Sequence, residues 1–122
     1  MTILADTSIW VDHWRRSNPA FDEHLAGEQV AMHPFVIGEL ALGRISPRHE
    51  VLAKLRELPA ATIVAHDEVL ALIEARDLAG SGLGWVDAHL LASALVDGTR
   101  LWTLDGPLAR AAQRLGVGYR PN

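Results

Sequence analysis

Short aliphatic runs alternate along this chain with longer amphipathic stretches, and that alternation limits the possible folds more than any other feature. The strand-like runs are "TILA" (Thr2 to Ala5), "EQVAMH" (Glu28 to His33), "ATIVA" (Ala61 to Ala65), "RLWTL" (Arg100 to Leu104) and "VGY" near the end. They are short and largely β-branched or aliphatic, as strands are. Helix signals fill the intervals. Asp6, Thr7 and Ser8 are good N-cap types ahead of an apolar side made by Ile9, Trp10, Val11 and Trp14. Pro19 opens a second helix that Gly27 closes, and Pro34 opens "PFVIGELALGR". Ser46 and Pro47 then open an amphipathic helix that ends before Pro59. "HDEVLALIEARDLAG" runs to Gly80, "WVDAHLLASALVDG" to Gly98, and "GPLARAAQRLG" is the last helix. Strands separated by helices are joined by crossovers. The chain therefore reads as α/β, with a mostly parallel central sheet of four to five short strands flanked by helices.

No internal repeat, low-complexity tract or linker interrupts the pattern, so residues 1–122 are expected to form a single domain. That length buries ~65–70% of the surface an unfolded chain exposes. The absence of cysteine excludes a disulfide framework and a zinc–thiolate site. No apolar run approaches the ~18 residues of a membrane span. Asp6 stands where a signal peptide would need its apolar stretch, so the expected location is the cytoplasm, with no membrane partner. The net charge of −4 argues against binding nucleic acid by bulk charge. A chain of this balance acts on nucleic acid only if cations or local arginine patches offset its acids. Its basic residues are ten arginines and one lysine, Lys54. Arg44, Arg100, Arg110 and Arg114 are candidate phosphate contacts, each weighed against ordinary solvated helix surface.

Four carboxylates stand apart from the solvated acids. Asp6 directly follows an apolar strand, at the strand end where open parallel sheets bind ligands. Taken alone, it reads as a helix cap. Glu39 has Phe35, Val36, Leu42 and Gly43 as its helical neighbours, which leaves it no evident polar face. Asp87 suits a helix first turn, yet it continues the apolar stripe of Leu90, Leu91 and Ala94. Asp105 follows "RLWTL" as Asp6 follows "TILA", although "DGP" is also strong turn chemistry. Gathered together, four such acids would repel one another and raise one another's pKa unless a hard cation neutralised them. Magnesium and manganese take oxygen ligands, and a pair of such ions clamps the attacking water and the leaving oxygen of a phosphodiester. Thr7 and Thr103 offer hydroxyls beside the acids, and Ser8 reads as a capping residue.

In order along the chain, "ADTSIWVD", "IGELALGR", "WVDAHLLASAL" and "LWTLDGPL" resemble the motifs of the PIN domain, and most of all those of the VapC toxins of bacterial toxin–antitoxin pairs. The resemblance covers nearly the whole chain. It implies a three-layer PIN-like fold and a metal-dependent endoribonuclease using Mg2+, with Mn2+ as a substitute. It maps the acidic positions to Asp6, Glu39, Asp87 and Asp105, and the supporting hydroxyls to Thr7 and Thr103. It further implies an RNA substrate, a homodimer and a cognate VapB-type antitoxin. Where such sequences often carry serine before the glutamate, Gly38 stands here. Asp6 and Asp87 are the expected direct ligands, and Asp105 the expected partial or water-mediated one.

Rival readings fit less well. A phosphorylation receiver domain needs a lysine after its last strand, but Lys54 lies mid-chain. A haloacid-dehalogenase phosphatase needs a second aspartate where Ser8 stands, and Gly82 to Gly84 is too short for a dinucleotide fingerprint. The alternative from another class is a non-catalytic binding module whose acidic pocket holds a cation or a partner's arginine. Divalent-dependent RNA cleavage separates it from the enzyme.

Overall fold

A computed structural model describes residues 1–121; Asn122, the last residue of the expected domain, lies outside them. Three strands form the sheet: β1 (Ile3–Ala5), β2 (Val30–Ala31) and β3 (Arg100–Trp102). Their order is β2-β1-β3 and both pairings are parallel. Ile3 lies opposite Val30 on one side and Arg100 on the other, and Ala5 opposite Trp102. Among the described residues, seven helices surround the sheet: α1 (Thr7–Arg16), α2 (Pro19–Ala26), α3 (Pro34–Ala41), α4 (Arg48–Glu57), α5 (His66–Ala75), α6 (Trp85–Asp97) and α7 (Gly106–Arg114). The α/β parallel architecture is as expected.

The strand count is a correction: three, not four to five. Ala60, the residue before "ATIVA", makes a single bridge to Met32, and Ala61 follows it with an N–H bond to the Met32 carbonyl at 3.0 Å. Beyond Ala61, side chains of α6 take the backbone groups a ladder would use. The Thr62 N–H donates to the Asp97 carboxylate at 2.8 Å, and the Ser93 hydroxyl donates to the Thr62 carbonyl. "VGY" likewise makes a single bridge, Leu101 to Gly118, held by Leu101 N to Val117 O and Tyr119 N to Leu101 O. Helix ends shift slightly as well. The helix expected from Ser46 starts at Arg48, with Pro47 in the cap position, and α5 ends at Ala75, before a turn in which Asp77 has φ +53°.

Ile3, Leu4 and Ala5 are fully buried because β1 is covered on both faces. Phe21, Leu90, Leu91, Leu101 and Leu108 fill the space around them. Phe21 meets Trp10 edge-on at 4.8 Å and Trp102 at 5.8 Å. Every residue of α6 from Ala88 to Ala94 is buried, which marks it as the helix enclosed by the others. Parallel strands end on one edge. β1 and β3 therefore deliver Asp6 and the Thr103–Asp105 segment side by side, and Asp6 N still bonds to Trp102 O at 3.1 Å. Packing of α3 on α1, and of α6 on β3, brings Glu39 and Asp87 to the same edge.

Candidate active site

Asp6 is the best-held acid of the four. It is buried, with 7% of its surface exposed. Its Oδ1 accepts the Ser8 hydroxyl at 2.5 Å and the Ile9 N–H at 3.3 Å, and its Oδ2 accepts the Thr103 hydroxyl. Burial pushes its carboxyl above the ordinary value, and the bonds from Ser8 and Thr103 oppose that rise. Asp6 is thus the N-cap of α1 and a clamped carboxylate at once; the capping is not passed to Thr7 or Ser8.

Thr103 joins two corners, because its hydroxyl oxygen also accepts the Asp105 N–H at 2.9 Å. Asp105 caps α7 through its Oδ2 and the Leu108 N–H at 3.1 Å, and it is exposed. Thr7 turns the other way and donates to Glu39 Oε1 at 2.6 Å. Glu39 is exposed, contrary to its apolar sequence neighbours, because α3 is short and the face bearing Gly38 and Glu39 looks outward. Asp87 is half-buried, and its Oδ2 accepts the Gly84 N–H at 3.0 Å. Burial raises its carboxyl, and the nearby charges of Asp105 and Glu39 add to the rise.

Thr103 thus joins Asp6 to Asp105, Thr7 holds Glu39, and Asp87 feels the charges of Asp105 and Glu39. Among the described residues, no three acid or histidine side chains stand close enough as a group to hold a metal ion. The donor set still suits a hard divalent cation, being all oxygen with no thiol or imidazole among it. The uncompensated field at Asp87 is what such a cation would neutralise.

The candidate arginines divide. Arg44 lines a cavity of about 370 Å³ with Thr7, Glu39 and Arg15. Arg110 and Arg114 line another of about 320 Å³ that reaches Thr103. Arg100 instead donates to the Gly116 carbonyl at 2.8 Å, and Arg114 donates to the Arg76 carbonyl at 2.7 Å, so both carry structural bonds. Sequence reasoning gave Ser8 only a capping role and passed over Arg120. Ser8 bonds Asp6 and also accepts the Leu104 N–H at 2.9 Å; its place two residues after an acid was the available signal. Arg120 lines the Thr103 cavity, and nothing in its sequence context marked it.

The PIN domain family profile matches residues 3–114. Two curated relatives, each named Ribonuclease VapC32, come from Mycobacterium tuberculosis strains CDC 1551 / Oshkosh and ATCC 25618 / H37Rv. Each is 49% identical over 116 residues, covering 94% of this chain and 94% of the relative. The crystal structure of PAE2754 from Pyrobaculum aerophilum aligns with a TM-score of 0.64 and 22% identity, over 91% of this chain and 84% of that one, and shows the shared fold. The profile spans all four motifs and the relatives match the chain nearly from end to end: it belongs to the PIN-domain family, within the VapC ribonucleases.

Proposed function

We propose that this chain, as one PIN unit over residues 1–122, hydrolyses RNA phosphodiesters at the edge formed by Asp6, Glu39, Asp87 and Asp105, with Mg2+ or Mn2+ as cofactor. The observation that carries the reading is the clamp on Asp6. A buried carboxylate held by two hydroxyls, one of which also fixes the Asp105 backbone, is more elaborate than a helix cap requires. When bound, the cation supplies Lewis-acid charge to the phosphodiester and generates a nucleophile from water at neutral pH. The protein's own part is orientation. Ser8 and Thr103 fix the Asp6 oxygens, Thr7 fixes Glu39, and the Gly84 N–H holds Asp87 Oδ2. Asp6 and Asp87 are the direct ligands in this reading, while Glu39 and Asp105, both exposed, complete the set. Thr7 and Thr103 are positioning residues. Arg44 and Arg110 flank the acids from two sides and offset their charge toward the RNA backbone.

In its cell the chain acts as the toxin of a type II toxin–antitoxin pair, in the cytoplasm, as a homodimer restrained by a VapB-type antitoxin. Among the described residues no helix is long and apolar enough to cross a membrane. Mapping new RNA 5′ ends after induced expression, with Asp6→Asn as control, tests the reading. Cleavage lost with chelator, restored by manganese and absent in Asp6→Asn supports it. Tight partner binding without cleavage of any RNA pool would instead favour the non-catalytic module.

A further inference from the structure

The cavity beside Thr103 has a composition that the acidic edge does not explain. Its polar lining is Thr103, Arg110, Gln113, Arg114, Tyr119 and Arg120, with no acid among the described residues. In a chain of net charge −4, three arginines around one small cavity are a concentrated basic spot. Among the described residues the one ion pair is Asp12–Arg16, so Arg110 and Arg120 are not neutralised by a carboxylate. Two glycines make room for this lining. A Cβ on Gly106 would come within 3.2 Å of Arg110 Nη1, and one on Gly118 within 3.2 Å of Gln113 Oε1. Arg114 is tied to the Arg76 carbonyl and braces one wall. Tyr119 is braced too, its hydroxyl bonded to His24 at 2.8 Å and its ring 4.9 Å from Trp102.

The volume, about 320 Å³, lies at the small end of the ~300–1,000 Å³ typical of small-molecule sites, room for a single nucleotide and not for a duplex. Its floor is Thr103, whose hydroxyl bonds Asp6. A nucleotide seated there would be next to the acids along a strand. We propose that this cavity holds the nucleotide adjacent to the cleaved bond, with its phosphate on Arg110 and Arg120 and its base against Tyr119 and Gln113. Arginine forks match phosphate, and an aromatic ring with one carboxamide is how proteins hold unpaired bases. This assignment rests on the nuclease reading above.

The test measures binding without cleavage. A short fluorescein-labelled single-stranded RNA of random sequence is titrated, in magnesium buffer, with the Asp6→Asn chain and with the same chain carrying Arg110→Ala and Arg120→Ala. The expected result is a Kd raised about tenfold, with the slope of log K against log salt reduced by about 0.7 for each phosphate that the arginines no longer neutralise. Arg110→Lys with Arg120→Lys keeps the slope, and circular dichroism confirms folding of each variant. Equal Kd and slope with and without the arginines overturn the proposal. So does an Asp6→Asn chain that binds no RNA, or one that binds polyglutamate as tightly as RNA. Cleavage by the unsubstituted chain is read separately. Its absence strikes the nuclease reading, whereas unchanged binding in the arginine variants beside intact cleavage strikes only the cavity.

Discussion

Asp6 and Asp105 hold the same local position in different surroundings. Each follows a strand of the sheet, each has extended backbone, and each caps the next helix with its carboxylate. Asp6 is buried and receives two side-chain hydroxyls; Asp105 is exposed and receives none. The difference comes from the sheet. β1 is the central strand, so its end is enclosed, whereas β3 lies at an edge and feeds an open turn. Capping accounts for the one hydrogen bond the Asp105 carboxylate accepts. It explains one of the bonds to Asp6 and leaves the hydroxyl clamp over. His33 is a third member of the series. It follows β2 closely and caps α3 by accepting the Phe35 N–H at its Nδ1, 2.9 Å away, while fully buried. One topological device thus carries three chemistries, set by the residue type and by whether the strand end is enclosed.

Neutralising the two aspartates in turn should affect catalysis most. Asparagine caps helices as well as aspartate does, so Asp6→Asn should leave the fold intact, with a modest drop in melting temperature because its amide nitrogen cannot accept the second hydroxyl. RNA cleavage, followed on a gel, should fall on the order of a thousandfold. Asp105→Asn, the matched change, should cost about tenfold or less.

The next effect belongs to His33. Burial, with His89 adding to it and Asp97 opposing, lowers its imidazole from 6.5 to about 4. The unfolded chain therefore binds the extra proton first. The stabilising contribution is complete above about pH 6.5 and is lost as pH falls toward about 4. Its size is about 3 kcal/mol at most. Protonation also removes the lone pair that caps α3. Urea midpoints measured across this range should fall more steeply for the native chain than for His33→Asn, which keeps a cap acceptor but does not titrate.

Smaller still is Thr103→Val, which removes the hydroxyl on Asp6 and the acceptor for the Asp105 N–H. Activity should drop about 10–100-fold, with more cation needed for half-maximal rate. A rate loss without any change in cation requirement would argue that Thr103 only packs. Asp105→Ala sits at the bottom of the scale, with about 1 kcal/mol of stability lost with the cap, read by thermal melting.

Much of this was legible in the sequence, and the exceptions share a cause. The alternation of short runs and helices yielded the parallel α/β class, and the strand-then-acid pattern found Asp6 and Asp105. Side chains reaching across the fold were not legible. Nothing local to Asp97, beside the helix-closing Gly98, shows that it takes the Thr62 N–H and hydroxyl and so removes "ATIVA" from the sheet. Glu39 looked buried because periodicity assumes a covered helix, and nothing in the sequence announces which face of α3 stays bare. Ser8 and Thr103 are 95 residues apart, and only the pairing of β1 with β3 brings both to Asp6.

In the proposed nuclease, the enclosed carboxylate, and not the exposed one, anchors a divalent cation. Electron paramagnetic resonance of Mn2+ titrated into the native chain, Asp6→Asn and Asp105→Asn measures this directly. The expected spectra show bound manganese in the native chain, loss of that binding in Asp6→Asn and only weakening in Asp105→Asn. Binding by Asp6→Asn as tight as the native chain's, or a greater loss in Asp105→Asn, would overturn the assignment of Asp6 as the anchor.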